Sequence, residues 1–278
     1  MKQLFDSVSD HCSKITTKTY STSFSLGILF LDKSLRTAIY NIYGFVRFAD
    51  EIVDSFHGFD KKQLLEKFRA DTAEAIAQKI SLNPILNSFQ DAVHKYGIRQ
   101  EWIDLFFDSM EMDLQKINYN TEQYEKYILG SAESVGIMCL HVFTYGDDKQ
   151  FEKLKPYAMK LGAAFQKVNF LRDIKSDNIE LGRVYFPDVD LRQFSKSEKR
   201  RIEEDIENDF RQAMIGIKLL PAGSRRGVYL AYFYYKVLFN KIKRMPPQKI
   251  MTQRVRISDV QKILLMIHSN LRHQLNML

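Results

Sequence analysis

The stretch Tyr40-Asn41-Ile42-Tyr43-Gly44-Phe45-Val46-Arg47-Phe48-Ala49-Asp50-Glu51-Ile52-Val53-Asp54 reads as one helix with an electrostatic anomaly. Tyr43, Arg47, Asp50 and Asp54 are spaced by four, three and four residues and share one face. Phe45, Phe48, Ile52 and Phe56 take a different face and can pack it. Two aspartates at i, i+4 repel by roughly 0.2–0.5 kcal/mol on an exposed helix. Among aromatic neighbours the cost is larger unless a cation offsets it. Asp32 is a plausible N-cap for this helix, and His57-Gly58 supply its stop signal.

A second long helix, from Leu154 to about Ile179, repeats the arrangement. Gln166, Asn169, Asp173 and Asp177 are spaced by three, four and four residues, with Leu161, Phe165, Val168 and Leu171 beside them. One Asp-x-x-x-Asp alone is most often a solvated acidic face. Two copies, each flanked by apolar residues and each aligned with polar residues a turn earlier, favour a site. If the helices face each other across a cavity, four carboxylates and an amide oxygen converge. Such an all-oxygen set suits a hard cation; Mg²⁺ takes one or two carboxylates and leaves its other positions to water and phosphate. Arg47 and Arg172 are close enough in sequence to help hold the phosphates. A di-iron bundle would want Glu-x-x-His pairs, and the chain has none. The chemistry implied is metal-assisted departure of diphosphate, with an apolar, aromatic wall to shelter a carbocation.

The remaining sequence is organised by helix signals. Thr19-Tyr20-Ser21-Thr22-Ser23-Phe24-Ser25 is hydroxyl-rich, either a linker or helix start or a lip over a phosphate site. Leu64–Ile80 is periodic, Pro84 opens a helix that Gly97 breaks, and Trp102–Lys116 is amphipathic. Asn120-Thr121 caps the next helix, and Ser131–Tyr145 is apolar and rich in small residues, suited to crossing a core. Ser195–Leu220 starts with a charged run read as a solvated face; Arg226–Lys243 is aromatic; Ser258-x-x-Gln261 resembles a capping box for a last helix to about Leu275. No alternating strands, repeats or composition shifts occur. We therefore expect one all-α domain over residues 1–278, of roughly eight to ten helices.

The 14 Tyr and 20 Phe suit a broad apolar interior. A net charge of +7 favours polyanionic partners, an anionic membrane face or phosphorylated substrates. Nucleic acid is not expected, because the basic residues are spread out and form no binding motif. Cys12 and Cys139 are lone thiols in apolar segments, expected to be buried packing in a reducing compartment. No signal peptide or spanning run of about 18 apolar residues is visible, so a cytoplasmic protein, at most peripheral to a membrane, is expected.

These residues resemble a known family. Arg47 with Asp50-Glu51-Ile52-Val53-Asp54, and Gln166 through Asp177 followed by Gly182-Arg183-Val184-Tyr185-Phe186-Pro187, are similar to the two signatures of the squalene/phytoene synthases. Tyr20-Ser21-Thr22-Ser23-Phe24 resembles that family's N-terminal flap, and Arg254-Val255 with Lys262 its basic C-terminal element. The resemblance implies an isoprenoid-synthase fold around a central cavity. It implies head-to-head joining of two prenyl diphosphates through a cyclopropyl diphosphate. Carried over by position, Asp50, Asp54, Asn169, Asp173 and Asp177 would bind Mg²⁺, or Mn²⁺ in its place. Arg47, Arg172, Tyr234, Arg254 and Lys262 would contact diphosphate, with Tyr235 or Tyr232 as stand-ins for Tyr234. Tyr20, Ser21, Tyr43 and Gln166 would line the reacting end. Two positions depart from the family pattern: Leu129 stands where many members have Tyr, with Tyr127 one turn away, and Glu133 stands for a small Gly.

The Gly-Arg-x-Tyr-x-Pro ending looks more like a phytoene synthase than a squalene synthase, which implies geranylgeranyl diphosphate as substrate and no need for NADPH; a monomer or weak dimer is expected. The alternatives are a C15-joining synthase making squalene or dehydrosqualene, and a non-catalytic relative that assists assembly. The retained aspartates argue against the latter.

Overall fold

The structure is a computed structural model describing residues 1–115, 119–179, 183–187, 189, 194–258 and 262, without the side chains of 176–179. The expected helix to Leu275 and the side chain of Asp177 thus lie outside the described residues.

Local signals set the helix boundaries. α1 (Lys2–Tyr20) ends at Ser21, whose hydroxyl accepts from the Phe24 amide and caps α2 (Thr22–Leu29), so the hydroxyl-rich stretch is a helix start. Asp32 caps α3 (Lys33–Asp54) through the Ser34 amide. α4 (Lys61–Gln78) follows Asp60 as cap. α5 (Pro84–Tyr96) starts on Asn83 with Pro at its first turn and stops at Gly97, whose φ of 66° costs glycine little. α6 (Gln100–Met112) leads to α7 (Thr121–Ile128), which opens with an Asn120/Gln123 capping box. A π turn, Leu129–Glu133, joins α7 to α8 (Ser134–Phe143). α9 (Asp148–Ile179), α10 (Lys196–Leu219), α11 (Ala222–Lys243) and α12 (Pro247–Thr252) complete the order. The described residues are all-α apart from one isolated bridge at Val184.

Phe45 at the middle of α3 is fully buried and stacks on Phe89 of α5 at 3.9 Å, with Phe106 and Phe107 of α6 against it. Leu171 and Val168 bury the corresponding face of α9. Phe48 and Phe56 do not join this core: they are 36% and 39% exposed. Phe56 lies beyond the end of α3, and the helix wheel that grouped it with Phe45 does not apply there.

α1 is inverted relative to an ordinary surface helix. Its inward face carries Ser9, Ser13 and Thr17, all fully buried, while Leu4, Val8 and Ile15 face out. The hydroxyls are satisfied by backbone carbonyls within α1 and by Ser88 and Asn87 of α5. Small residues bring α1 close to α3, where Ser13 packs on Gly44.

α9 is anchored to α10 by Lys167, which donates to Asp205 and Asp209 at 2.5 and 2.7 Å. The charged start of α10 is only partly a solvated face: Lys199 is buried, pairing with Glu203 and donating to the Lys243 carbonyl. Cys12 and Cys139 are free and partly buried. Among the described residues, no helix is long and apolar enough to cross a membrane.

Candidate active site

A cavity of about 240 Å³ lies between α2, α3, α8, α9, α10 and α11. Its wall is almost wholly apolar, with Ile28, Val135, Leu161 and Ile217 among the lining residues. Cys139 is part of that wall, and burial pushes its thiol up to about 12. The lining residues of α9 run from Leu154 to Gln166, a stretch of helix about 18 Å long at ~1.5 Å per residue. Close backbone approach shapes the wall between the π turn and α9: a side chain at Gly162 would stand 2.5 Å from the Ala132 carbonyl oxygen.

Two chains of contacts lead from this cavity to charged groups. On the α9 side, Gln166 reaches Ser131 at 3.5 Å, Asn169 donates to Gln166 at 3.3 Å, and Tyr235 donates to Asn169 at 3.2 Å. One turn further, Asp173 is held by Arg172 (2.5 Å) and by Arg254 (2.7 Å). Burial opposes the Arg172 charge, but its hydrogen bonds to Asp173 and the nearby Tyr235 hold its pKa above the usual arginine range. Tyr234 packs edge-on against Tyr235, and the Tyr235 ring stacks on Phe165 at 4.0 Å. It is therefore Tyr235, the stand-in, that touches Asn169; Tyr232 lies away on Phe210.

On the α3 side, Phe24 of the cavity wall stacks on Tyr43 at 5.0 Å. Burial pushes the Tyr43 phenol up to about 12; Arg47 and the Ser21 hydroxyl act against that shift. Arg47 pairs with Glu51 and lies under the Tyr20 ring at 4.3 Å, with its Nε buried and unpartnered. Lys262 donates to Thr22 at 3.0 Å, bringing the basic C-terminal element to the flap.

The aspartates of α3 differ from each other. Asp54 is held by Arg183 at 2.8 Å. Asp50 has no ion-pair partner among the described residues, and burial together with the Asp54 carboxylate pushes it up to about 8. Behind them sits a group the sequence reading missed. Asp113, at the end of α6, accepts from Tyr127 (2.7 Å) and Tyr185 (3.1 Å). Burial pushes Asp113 up to about 6 although Arg183 and these hydroxyls oppose it. Tyr127, considered above as a substitute at Leu129, thus spends its hydroxyl on Asp113.

The structure gathers Tyr20, Ser21, Tyr43, Arg47, Asp50 and Asp54 on one side of the cavity and Gln166, Asn169, Arg172, Asp173, Tyr235 and Arg254 on the other. Among the described residues, no three acidic, His or Cys side chains converge as a metal shell. The donor chemistry still fits Mg²⁺, because that ion needs only one or two carboxylates beside water and phosphate oxygens. An unpaired carboxyl repelled by its neighbour, as at Asp50, gains most from a cation.

Comparison with known proteins places these features in a family. The chain matches the squalene/phytoene synthase family over residues 17–261. It is 34% identical over 67% of its length to a presqualene diphosphate synthase of Zymomonas mobilis, covering 61% of that protein. It is 26% identical over 91% of its length to a chloroplastic phytoene synthase of Narcissus pseudonarcissus, of which it spans 64%. A crystal structure of a dehydrosqualene synthase superposes with a TM-score of 0.81 at 18% identity, over 97% of this chain and 98% of that one, which shows a shared fold. The chain belongs to the squalene/phytoene synthase family and has its isoprenoid-synthase fold.

Proposed function

We propose that the protein is an enzyme that joins two prenyl diphosphates head to head, with two geranylgeranyl diphosphates giving phytoene as the leading reading. The observation that carries it is the pairing of an apolar cavity, lined along about 18 Å of α9, with two arginine-braced acidic clusters near its polar end. Diphosphate leaves one substrate with the electron pair of its C–O bond. The allylic cation is attacked by the double bond of the other substrate, and proton loss closes a cyclopropane that retains the second diphosphate. That diphosphate departs in turn, and rearrangement and proton loss give the hydrocarbon.

Arg172 and Arg254, which brace Asp173, would hold a diphosphate, with Arg47 and Lys262 on the flap side. Asp50, Asp54, Asn169 and Asp173, together with Asp177, would hold Mg²⁺ or Mn²⁺, which when bound neutralises the leaving group's charge. The Phe24, Tyr43 and Phe165 rings exclude water and present aromatic faces to a cation. NADPH has no part in this reading.

A second reading, a C15-joining synthase, is favoured by the 34% identity to a presqualene diphosphate synthase. The deciding experiment supplies Mg²⁺ with farnesyl or geranylgeranyl diphosphate, with and without NADPH, followed by lipid extraction. A C40 hydrocarbon formed without NADPH supports the first reading, and a C30 product the second. No coupled product from either substrate refutes both.

A further inference from the structure

Arg183 sits between two carboxylates, and only one of them faces the site. Its guanidinium donates to Asp54 Oδ1 at 2.8 Å, to the Asp113 carbonyl at 2.7 Å, to the Val53 carbonyl at 3.4 Å and to the Tyr185 hydroxyl at 3.3 Å. Asp113 Oδ1 lies 3.5 Å from the same nitrogen that bonds Asp54. Burial opposes the Arg183 charge, yet Asp113, Tyr185 and Asp54 together keep it firmly protonated. Two backbone carbonyls and a tyrosine fix the side chain independently of Asp54, so Arg183 stays in place if Asp54 turns toward a ligand.

Asp113 cannot itself serve as a cation ligand here. It is 6% exposed, and both its oxygens are engaged, Oδ2 by Tyr127 and Oδ1 by Tyr185 and Arg183. Asp54 is 39% exposed at its side chain. Without Asp113, a fixed positive charge 2.8 Å from Asp54 would repel any cation brought there and would compete for the same carboxylate.

We propose that Asp113 is a positioning residue: as the buried counter-charge of Arg183 it leaves Asp54 available to a divalent cation, while Arg183 holds the Asp54 carboxylate in line. This rests on reading the α3 aspartates as cation ligands. In that arrangement Arg183 and Asp113 form a neutral pair behind the site. The segment after α9 is tied through it to the ends of both α3 and α6.

The test is a charge cycle read by Mn²⁺ binding in the presence of inorganic diphosphate, followed by electron paramagnetic resonance. Asp113→Asn keeps the shape and removes the charge, and should weaken Mn²⁺ binding about tenfold. Arg183→Met should bind Mn²⁺ more tightly than the double variant Arg183→Met/Asp113→Asn, in which the charges vanish together and affinity should return to within about threefold of the parent. Tyr127→Phe, which keeps the charge but loosens the network, should leave affinity within about twofold.

If Arg183→Met fails to fold, Asp113→Asn against the parent and the double variant decides; if Asp113→Asn fails, Arg183→Met must bind more tightly than the double variant; if both fail, the double variant must still bind within about threefold of the parent. The proposal is overturned if Asp113→Asn binds like the parent, if the double variant is as weak as Asp113→Asn, if Arg183→Met binds no tighter than the double, or if Tyr127→Phe loses as much as Asp113→Asn. A parent that binds no Mn²⁺ with diphosphate refutes the ligand reading itself. A parent that binds, with a flat cycle, refutes only the role of Asp113.

Discussion

Arg183 Nη1 lies 2.8 Å from Asp54 Oδ1, so a residue that follows the second acidic helix holds the last aspartate of the first. Its guanidinium is 5% exposed. Removing one partner of a buried charge pair leaves the other uncompensated, which typically costs about 3–5 kcal/mol. Arg183→Met is therefore expected to lower unfolding free energy on that scale. Adding Asp113→Asn should recover much of the loss, as urea unfolding of both variants would show.

Asp50 gives a pH dependence in the metal-free protein. Its folded pKa, about 8, lies above the ordinary carboxylate value of 3.8, so between these values the folded state binds more protons than the unfolded state. Stability must then fall as pH rises from about 4 to about 8. Asp50→Asn removes this contribution, so its melting temperature should decline less over that window than the parent's. Parallel declines in differential scanning calorimetry would contradict the assignment.

The π turn depends on a residue without a side chain. A Cβ at Gly130 would collide with the Leu105 carbonyl oxygen and stand 2.6 Å from the Ser109 Cβ. Overpacking against a backbone atom costs about 1–3 kcal/mol, and Gly130→Ala should destabilise by at least that much. A thermal midpoint equal to the parent's would mean that the contact between α6 and the π turn relaxes freely.

Cavity depth offers a fourth test. Ala158 lines the wall two turns before Gln166. Ala158→Phe places a ring across the cavity and should reduce turnover of a C20 diphosphate at least tenfold more than that of a C15 diphosphate, a gap of ~1.4 kcal/mol. Equal losses on both substrates, measured as kcat/KM, would show that the chain does not extend past Ala158.

Much of this architecture was legible because helix ends carry chemical punctuation. Asp32, Asn83-Pro84, Gly97, Asn120 and Ser195 mark boundaries by bonding the amides or taking the backbone angles that a helix end requires. The two acidic stripes were legible for a related reason, since four-residue spacing places side chains on one face without knowledge of the partner. Asp113 and Arg183 lack that advantage. Each is a single residue just past a helix or in a loop, and their proximity joins positions 70 residues apart. The only local hint was Arg183-x-Tyr185, whose alternation places both side chains on the same side as Asp113. The wheel failed at Phe48 because periodicity identifies a face but not how far the neighbouring helices extend along it, and at Phe56 because α3 ends before it. Choosing among Tyr232, Tyr234 and Tyr235 required the rotation of α11, which an all-aromatic run does not reveal.

The hydroxyl face of α1 has a thermal consequence. Part of the hold on α1 is polar, through the Ser13–Ser88 bond and the Asn87 amide on Ser9. That polar share does not weaken on cooling as burial of methyl groups does. Because α1 ends at Tyr20, over the Arg47 guanidinium, the cover of the site should keep more of its hold in the cold than one seated on methyl groups alone.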